Sequence, residues 1–396
     1  MRVLRMKTGN TGEYFGTAAR LLGHALRHRY ARLMGTPLKP QAVSLALTNR
    51  CNSHCIMCNI WQRSKEQPDI KNLELSSNEV IGLLSRPLFS ELVELDLTGG
   101  EPHLRDDLVD IAIDLAELKK SYLPKLKSII ITSNGLLPER IISNNRSILE
   151  SLRNMDIDLV SVASVDGIGE THDKIRGTKG AFKLASRTID GLIELREQYP
   201  NYFIGLKTTI LPQNIDELDA ILDFALEKHL FYIISPVFFT ETRFRNTDKQ
   251  EALKLGDAEY EKAPKFYFRR ELDTNYFCSR IRDYLAAGKK TWACTALYNY
   301  LFIEFDGTVY PCELIPETVG NIRKQSIEDI WKGTLARGWR KRIGKLERCS
   351  ECIEPGAVRY SACAGGLSYL KFLRKLGKSK FTESLHGEGY SKYLND

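Results

Sequence analysis

The chain of 396 residues has no run of about 18 uncharged apolar residues, so nothing in it reads as a membrane-spanning helix. The N-terminus is basic but lacks the apolar core and small-residue cleavage site of a secretory signal, which argues for a cytoplasmic protein. No repeat of fixed period and no low-complexity tract is present, which excludes solenoids and disordered tails. Cysteine is scarce, with nine residues. They cluster at positions 51–58 and 278–363, too few for a disulfide scaffold and grouped as metal or catalytic thiols are. Beyond residue 40 there is no excess of charge: residues 1–40 hold eight Lys or Arg against Glu13 alone, which accounts for the whole net charge of +7. A nucleic-acid channel is therefore not expected.

What is present begins with a basic, amphipathic segment. Phe15, Ala18, Leu22, Ala25, Tyr30 and Leu33 fall on or near one face of a helix over residues 14–33, which Gly35 and Pro37 end. Such a face either covers the protein's own core or a partner, or makes weak contact with a membrane surface.

Strand-like runs then alternate with helical patterns. Residues 42–48, 92–98, 127–132, 158–165, 203–210 and 231–237 read as strands, and 76–86, 106–121, 138–153, 180–198 and 214–229 as helices. Ser76 and Glu79 form a capping box, and Asn214 or Asp216 could cap the last helix. Runs such as Ile129-Ile130-Ile131 suit strands covered on both faces. This predicts an α/β fold: a partial (β/α)6 parallel barrel, open or partly closed, over residues 41–240. Residues 1–40 form a helical arm and 241–290 a linker. A small cysteine-bearing C-terminal domain occupies 291–366, with a hairpin turn at Asp306-Gly307, and 367–396 form a basic tail.

Chemistry concentrates just after the first strand, at the carboxyl end of the sheet, where ligands gather in such folds. Cys51, Cys55 and Cys58 have the spacing C-x3-C-x2-C, which matches neither paired zinc ligands nor a single redox C-x-x-C. Three thiolates can hold three irons of a cubane and leave the fourth open. Buried thiols or a structural zinc site is the plainer alternative.

This motif resembles the signature of the radical S-adenosylmethionine superfamily, with Met57 where an aromatic commonly stands. The resemblance covers residues 42–366 and implies a [4Fe-4S] cluster that binds S-adenosylmethionine. Thr98-Gly99-Gly100-Glu101-Pro102 is similar to the family's GGE motif, which implies that Gly99, Gly100 and Glu101 hold the cofactor's amino group. Ser133 and Asn134 after the third strand and Ser164 in the fourth stand where the family contacts ribose and carboxylate, and Arg176 is a candidate carboxylate partner. His172 reads as structural.

The later cysteines resemble the SPASM and twitch extensions. That implies one auxiliary [4Fe-4S] cluster on Cys294, Cys312, Cys349 and Cys352, with Cys363 in reserve and Cys278 a plain thiol. A four-cysteine zinc site is the alternative. By resemblance the chain is a radical enzyme that cleaves S-adenosylmethionine reductively and takes hydrogen from an unactivated carbon, for oxidation or cross-linking. Its substrate is a small polar molecule or a peptide, and its electrons come from a reductant such as flavodoxin or ferredoxin. The residues before Ala42 are too few for a leader-binding domain, which tilts the expectation toward a small molecule. No individual catalytic side chain is singled out. The competing reading is a non-catalytic iron–sulfur or zinc scaffold.

Overall fold

A computed structural model of the chain describes residues 11–394. The six expected strands form: β1 Ala42–Thr48, β2 Glu94–Gly99, β3 Ser128–Ser133, β4 Asp158–Ser164, β5 Tyr202–Ile210 and β6 Phe231–Pro236. Each pairs in parallel with the next, with Leu45 opposite Leu97 and Leu97 opposite Ile131. All seven residues of β1 are buried, as the continuous apolar run requires of a strand covered on both faces. Each fully buried leucine there contributes about 1.5–3 kcal/mol.

Parallel strands need crossovers, and helices supply them. After α1 Thr11–Met34 come α2 Ile60–Glu66, α3 Ser77–Leu84, α4 Leu108–Glu117, α5 Pro138–Leu152, α6 Glu170–Arg176, α7 Ala181–Gln198 and α8 Leu218–Glu227. The capping box of α3 forms, with Glu79 N donating to Ser76 Oγ and Ser76 N to Glu79 Oε2. Asn214 does not cap α8. It is fully buried and donates to the carbonyls of Asp166 and Thr209, stapling the ends of β4 and β5.

Because β6 and β1 do not pair, the sheet remains an open barrel with the strand order β6-β5-β4-β3-β2-β1-β7-β8-β9. The last three strands are β7 Tyr300–Ile303, β8 Thr308–Tyr310 and β9 Gly320–Asn321, antiparallel around the expected turn at Asp306-Gly307.

The chain divides into two units. One contains Ala42–Tyr260 and Leu301–Trp331, and so holds the whole barrel. The other contains the segment ending at Gln41, Glu261–Tyr300 and the chain from Lys332 onward. The stretch 241–290 carries helices α9 Gln250–Leu253, α10 Asp257–Tyr267 and α11 Tyr276–Ala287, and its part up to Tyr260 folds with the barrel. Helix α12 Ile327–Lys332 ends the barrel unit's last segment, and the second unit then carries α13 Thr334–Arg342, α14 Glu347–Ser350, α15 Pro355–Gly365 and α16 Leu367–Leu376. Most of residues 367–394 are helical, with Tyr369, Phe372, Leu373 and Tyr390 buried.

The N-terminal helix departs from the expected facing. Thr17, Leu21, Ala25, His28 and Ala31 are its buried residues, whereas Phe15, Leu22, Tyr30 and Leu33 are exposed. The apolar periodicity is real, but the side that packs is the one carrying small residues. Among the described residues, no helix is long and apolar enough to cross a membrane.

Candidate active site

The loop that follows β1 brings Cys51, Cys55 and Cys58 together at the carboxyl ends of the strands. Its backbone is strapped to the next strand: Gly100 N donates to the Thr48 carbonyl and Glu101 N to the Arg50 carbonyl, each at 2.8 Å. The approach is possible only without side chains. A Cβ at Gly99 would lie 2.3 Å from the Thr48 carbonyl oxygen and one at Gly100 2.2 Å from that of Arg50.

Beneath the glycines, Glu101 is fully buried. Its carboxylate accepts from His103 N at 3.1 Å, Ser133 Oγ at 3.1 Å and Asn134 N at 2.7 Å. Burial pushes it up to about 7, while those three donors work in the opposite direction. Glu101 thus ties the end of β2 to the end of β3. Asn134 in turn donates from Nδ2 to Asn52 Oδ1 at 2.8 Å and to Cys51 Sγ at 3.7 Å. Ser164 is buried at the last position of β4, in register with Lys207.

Arg176 closes the other side. Its carbonyl accepts from His54 N and Ser53 Oγ, and its Nη1 donates to Cys55 Sγ at 3.6 Å. The carboxylate it meets here is Asp166, 2.6 Å from Nη2. Burial opposes the guanidinium charge, but Asp166 and Cys55 more than offset this and hold Arg176 above its ordinary value. His172 is buried and accepts from Asp166 N at Nδ1; burial and then Arg176 lower it to about 3, which fits a neutral structural ring.

The segment after β6 clamps the cysteine loop from a third direction. Asn246 Nδ2 donates to the Met57 and Phe238 carbonyls, Asn59 N to the Phe244 carbonyl and Lys249 Nζ to the Cys58 carbonyl. Met57 is buried with Cys55, Ile175, Leu211 and Leu253 in an apolar cluster. Burial first, and the nearby Cys55 next, push the Cys51 thiol up to about 12 and Cys58 to about 11. Metal binding must therefore expel their protons.

The donor set suits a cubane: three soft sulfurs, an apolar shell, and an N–H donor aimed at each sulfur, from Asn134 to Cys51, Arg176 to Cys55 and Ile60 N to Cys58. Among the described residues, no three His, Cys, Asp or Glu side chains converge on the point that one metal ion would fill. A cubane takes one thiolate at each iron.

A polar group that sequence reading missed, with Ser44 buried and Asp96 and Glu313 half-buried, lies farther down the same strands. Ser44 Oγ sits 3.1 Å from Asp96 Oδ2 and 3.0 Å from Glu313 Oε1. Burial and then Glu313 push Asp96 up to about 7, with Lys207 and Ser44 opposing. Arg243, only 4% exposed, reaches Thr98 Oγ1 at 3.1 Å, lies 3.7 Å from Glu313 and covers the ring of Phe302. Among the described residues its Nη1 has no hydrogen-bond partner. Asp96 alternates with Leu95 and Leu97 in β2, a period-2 signal that could have marked it as facing the opposite side of the sheet from them. Arg243 lies in an aperiodic charged stretch and carried no such signal.

In the second unit Cys294 and Cys352 are buried, and Cys294 is among the groups that keep Cys352 protonated, after burial itself; its thiol is pushed up to about 12. Cys294 Sγ is 3.3 Å from the Tyr300 hydroxyl. Cys349 lies in this unit too, and Cys312 follows β8 in the barrel unit. Cys363 takes a different place from the other four: it is fully buried in α15 and its thiol faces the Tyr390 carbonyl at 3.6 Å. Burial raises the Cys278 thiol above its ordinary value.

Comparison with known proteins now settles the family. The Radical SAM superfamily matches residues 45–225, and SPASM, an iron–sulfur cluster-binding domain, matches residues 294–353. This chain belongs to the radical SAM superfamily and carries a SPASM-type domain. It is 26% identical over 82% of its length to the AdoMet-dependent heme synthase of Methanosarcina barkeri, covering 90% of that protein. It is 26% identical over 75% of its length to the sporulation killing factor maturation protein SkfB of Bacillus subtilis, covering 66% of it. The solved structure "Native anSMEcpe with bound AdoMet and Cp18Cys peptide" superposes on 89% of this chain and 99% of that one, with a TM-score of 0.52 and 17% identity, and so shares the fold. The protein is a radical SAM enzyme whose cofactors are a [4Fe-4S] cluster and S-adenosylmethionine, with an auxiliary iron–sulfur site in the SPASM domain. The expectation of a non-catalytic scaffold is thereby set aside.

Proposed function

We propose that this enzyme takes hydrogen from an unactivated carbon of a small polar molecule or a peptide, leading to its oxidation or cross-linking. The observation that carries this reading is the cysteine loop strapped by Gly99 and Gly100 above the polar group in which Ser44 and Arg243 are buried and Asp96 and Glu313 half-buried.

Cys51, Cys55 and Cys58 would hold the cluster. Gly99 and Gly100 would leave room for the cofactor's amino end, with Glu101, Ser133 and Asn134 fixing the backbone around it and Ser164 at the edge. Arg176, held charged by Asp166, keeps positive charge beside Cys55 and would favour the cofactor's carboxylate. When bound, the reduced cluster and S-adenosylmethionine supply a 5′-deoxyadenosyl radical. The chain's own contribution is then orientation and exclusion of water.

Arg243 offers two or more unspent donors to an acidic substrate group, and the Asp96–Glu313 pair offers acceptors to a cationic or hydroxyl group. A cavity of about 490 Å³, lined by Arg63, Glu241, Thr242, Arg245, Glu304 and Tyr310, opens beside the same loop. Both features favour a polar substrate over an apolar one. Cys294, Cys312, Cys349 and Cys352 would hold one auxiliary cluster, able to accept the second electron of an oxidation; the SPASM match spans all four and ends before Cys363.

The test uses extract from cells grown in deuterated medium, separated by size into low-mass and peptide fractions. With reduced enzyme and S-adenosylmethionine, deuterium should enter 5′-deoxyadenosine with one fraction. Formation of 5′-deoxyadenosine with no deuterium from either fraction contradicts hydrogen abstraction from substrate carbon.

A further inference from the structure

The helix α1 presents two apolar faces, and among the described residues only one of them is packed against the chain. The inward face is fixed within its own unit. Leu21 is fully buried, a Cβ on Gly366 would lie 2.2 Å from the Leu21 carbonyl, the His28 ring meets Tyr298 edge-on at 5.2 Å, and Tyr14 meets Phe381 at 5.2 Å. Burial and then Arg32 lower His28 to about 4, so its ring is neutral in that packing. The helix is therefore not free to roll and hide its other side.

That other side carries Phe15, Leu22, Leu26, Tyr30 and Leu33, which recur at helical spacing and are between 45% and 79% exposed. At 3.6 residues per turn, Arg29 borders the stripe along one edge and Arg20 and Arg27 along the other, all three exposed. A contiguous apolar stripe of this kind on a water-facing surface marks an interaction site.

We propose that α1 lies flat on an anionic lipid surface, with the stripe of Phe15, Leu22, Leu26, Tyr30 and Leu33 in the acyl boundary and the flanking arginines at the phosphates. Charge selects this occupant. Residues 1–40 hold the entire net charge of +7. A second copy of the chain would set that charge against itself, whereas an anionic bilayer attracts it and receives the stripe along its length. The arginine stems can extend along the apolar boundary while their heads stay in water. The helix lies on the bilayer and does not cross it, consistent with its low apolar content. This contact is independent of the reaction proposed above, and it would place the enzyme where lipids or membrane-bound substrates and products are found.

Flotation of the full-length reconstituted enzyme tests it, on vesicles of phosphatidylcholine alone or mixed with phosphatidylglycerol. Wild type should float with the mixed vesicles and stay behind with phosphatidylcholine alone, and high salt should weaken the association. The pair Leu26→Glu and Tyr30→Glu should lose at least about tenfold in partitioning, and so should Arg27→Glu with Arg29→Glu. Because all four residues point away from the core, the thermal midpoints should not move. The charge pair serves as the test if the first pair alters the midpoint. Failure of wild type to float on anionic vesicles overturns the proposal, as does flotation undiminished in both variants. A concentration-dependent dimer in lipid-free solution that Leu26→Glu with Tyr30→Glu abolishes, without flotation of wild type, also overturns it and assigns the face to a second copy.

Discussion

Asp166 and Arg176 form an ion pair of 2.6 Å whose carboxylate is fully buried and whose guanidinium also touches Cys55. Removing one partner leaves the other charge buried alone, at a cost of about 3–5 kcal/mol. Asp166→Ala should therefore lower the unfolding free energy by about that amount, measured by urea denaturation of the protein without its clusters. A loss below about 1 kcal/mol would mean that Arg176 finds water or another partner.

Gly100 has no room for a side chain, since a Cβ would lie 2.2 Å from the Arg50 carbonyl oxygen. Gly100→Ala must move the cysteine loop or the end of β2, so it should destabilise by about 1–3 kcal/mol and reduce the iron held at Cys51, Cys55 and Cys58. Full iron content with an unchanged denaturation midpoint would show that the strap between loop and strand is dispensable.

Asp96 makes stability depend on pH in a definite direction. Its folded value of about 7 lies above the roughly 3.9 of an unfolded aspartate. The folded state therefore binds more protons between these values, and the stability this gives is present below pH 4 and lost as pH rises through 7. Asp96→Asn removes the titration, so between pH 4 and 7 the variant should lose about 3 kcal/mol less stability than wild type. Parallel stability curves for the two proteins would contradict an Asp96 carboxyl held protonated beside Glu313.

The barrel was legible because its signals are local. Period-2 and period-3.6 patterns placed all six strands and five crossover helices within a few residues, and Ser76 and Glu79 lie three apart. The cysteine loop and the two glycines were readable as motifs for the same reason. What was not legible depends on distant contacts. Asn246 reaches Met57 across 189 positions, and nothing in the charged stretch around it shows that residues 241–260 belong with the barrel. Arg176 could be picked out as a carboxylate partner, but Asp166 as the carboxylate it meets could not. Periodicity in α1 revealed an apolar face without showing that Leu21 and Ala25 would pack inward while Phe15, Leu22 and Leu33 stayed outside.

The auxiliary site can be separated from the first by iron content. A variant with Cys51, Cys55 and Cys58 all changed to alanine should still reconstitute about four irons, the content of one cubane, on Cys294, Cys312, Cys349 and Cys352. Its electron paramagnetic signal should not shift on addition of S-adenosylmethionine, because four thiolates leave no iron open. Zinc in place of iron after anaerobic purification would refute the redox role, and a signal that shifts would return Cys363 to consideration.

The most direct test of the central claim is the yield of 5′-deoxyadenosine from S-adenosylmethionine and dithionite, compared between reconstituted wild type and Cys55→Ala. Wild type should form it and the variant should not, while the two retain similar circular dichroism. Equal formation by both proteins, or none by wild type carrying its full complement of iron, would contradict a radical site at Cys51, Cys55 and Cys58.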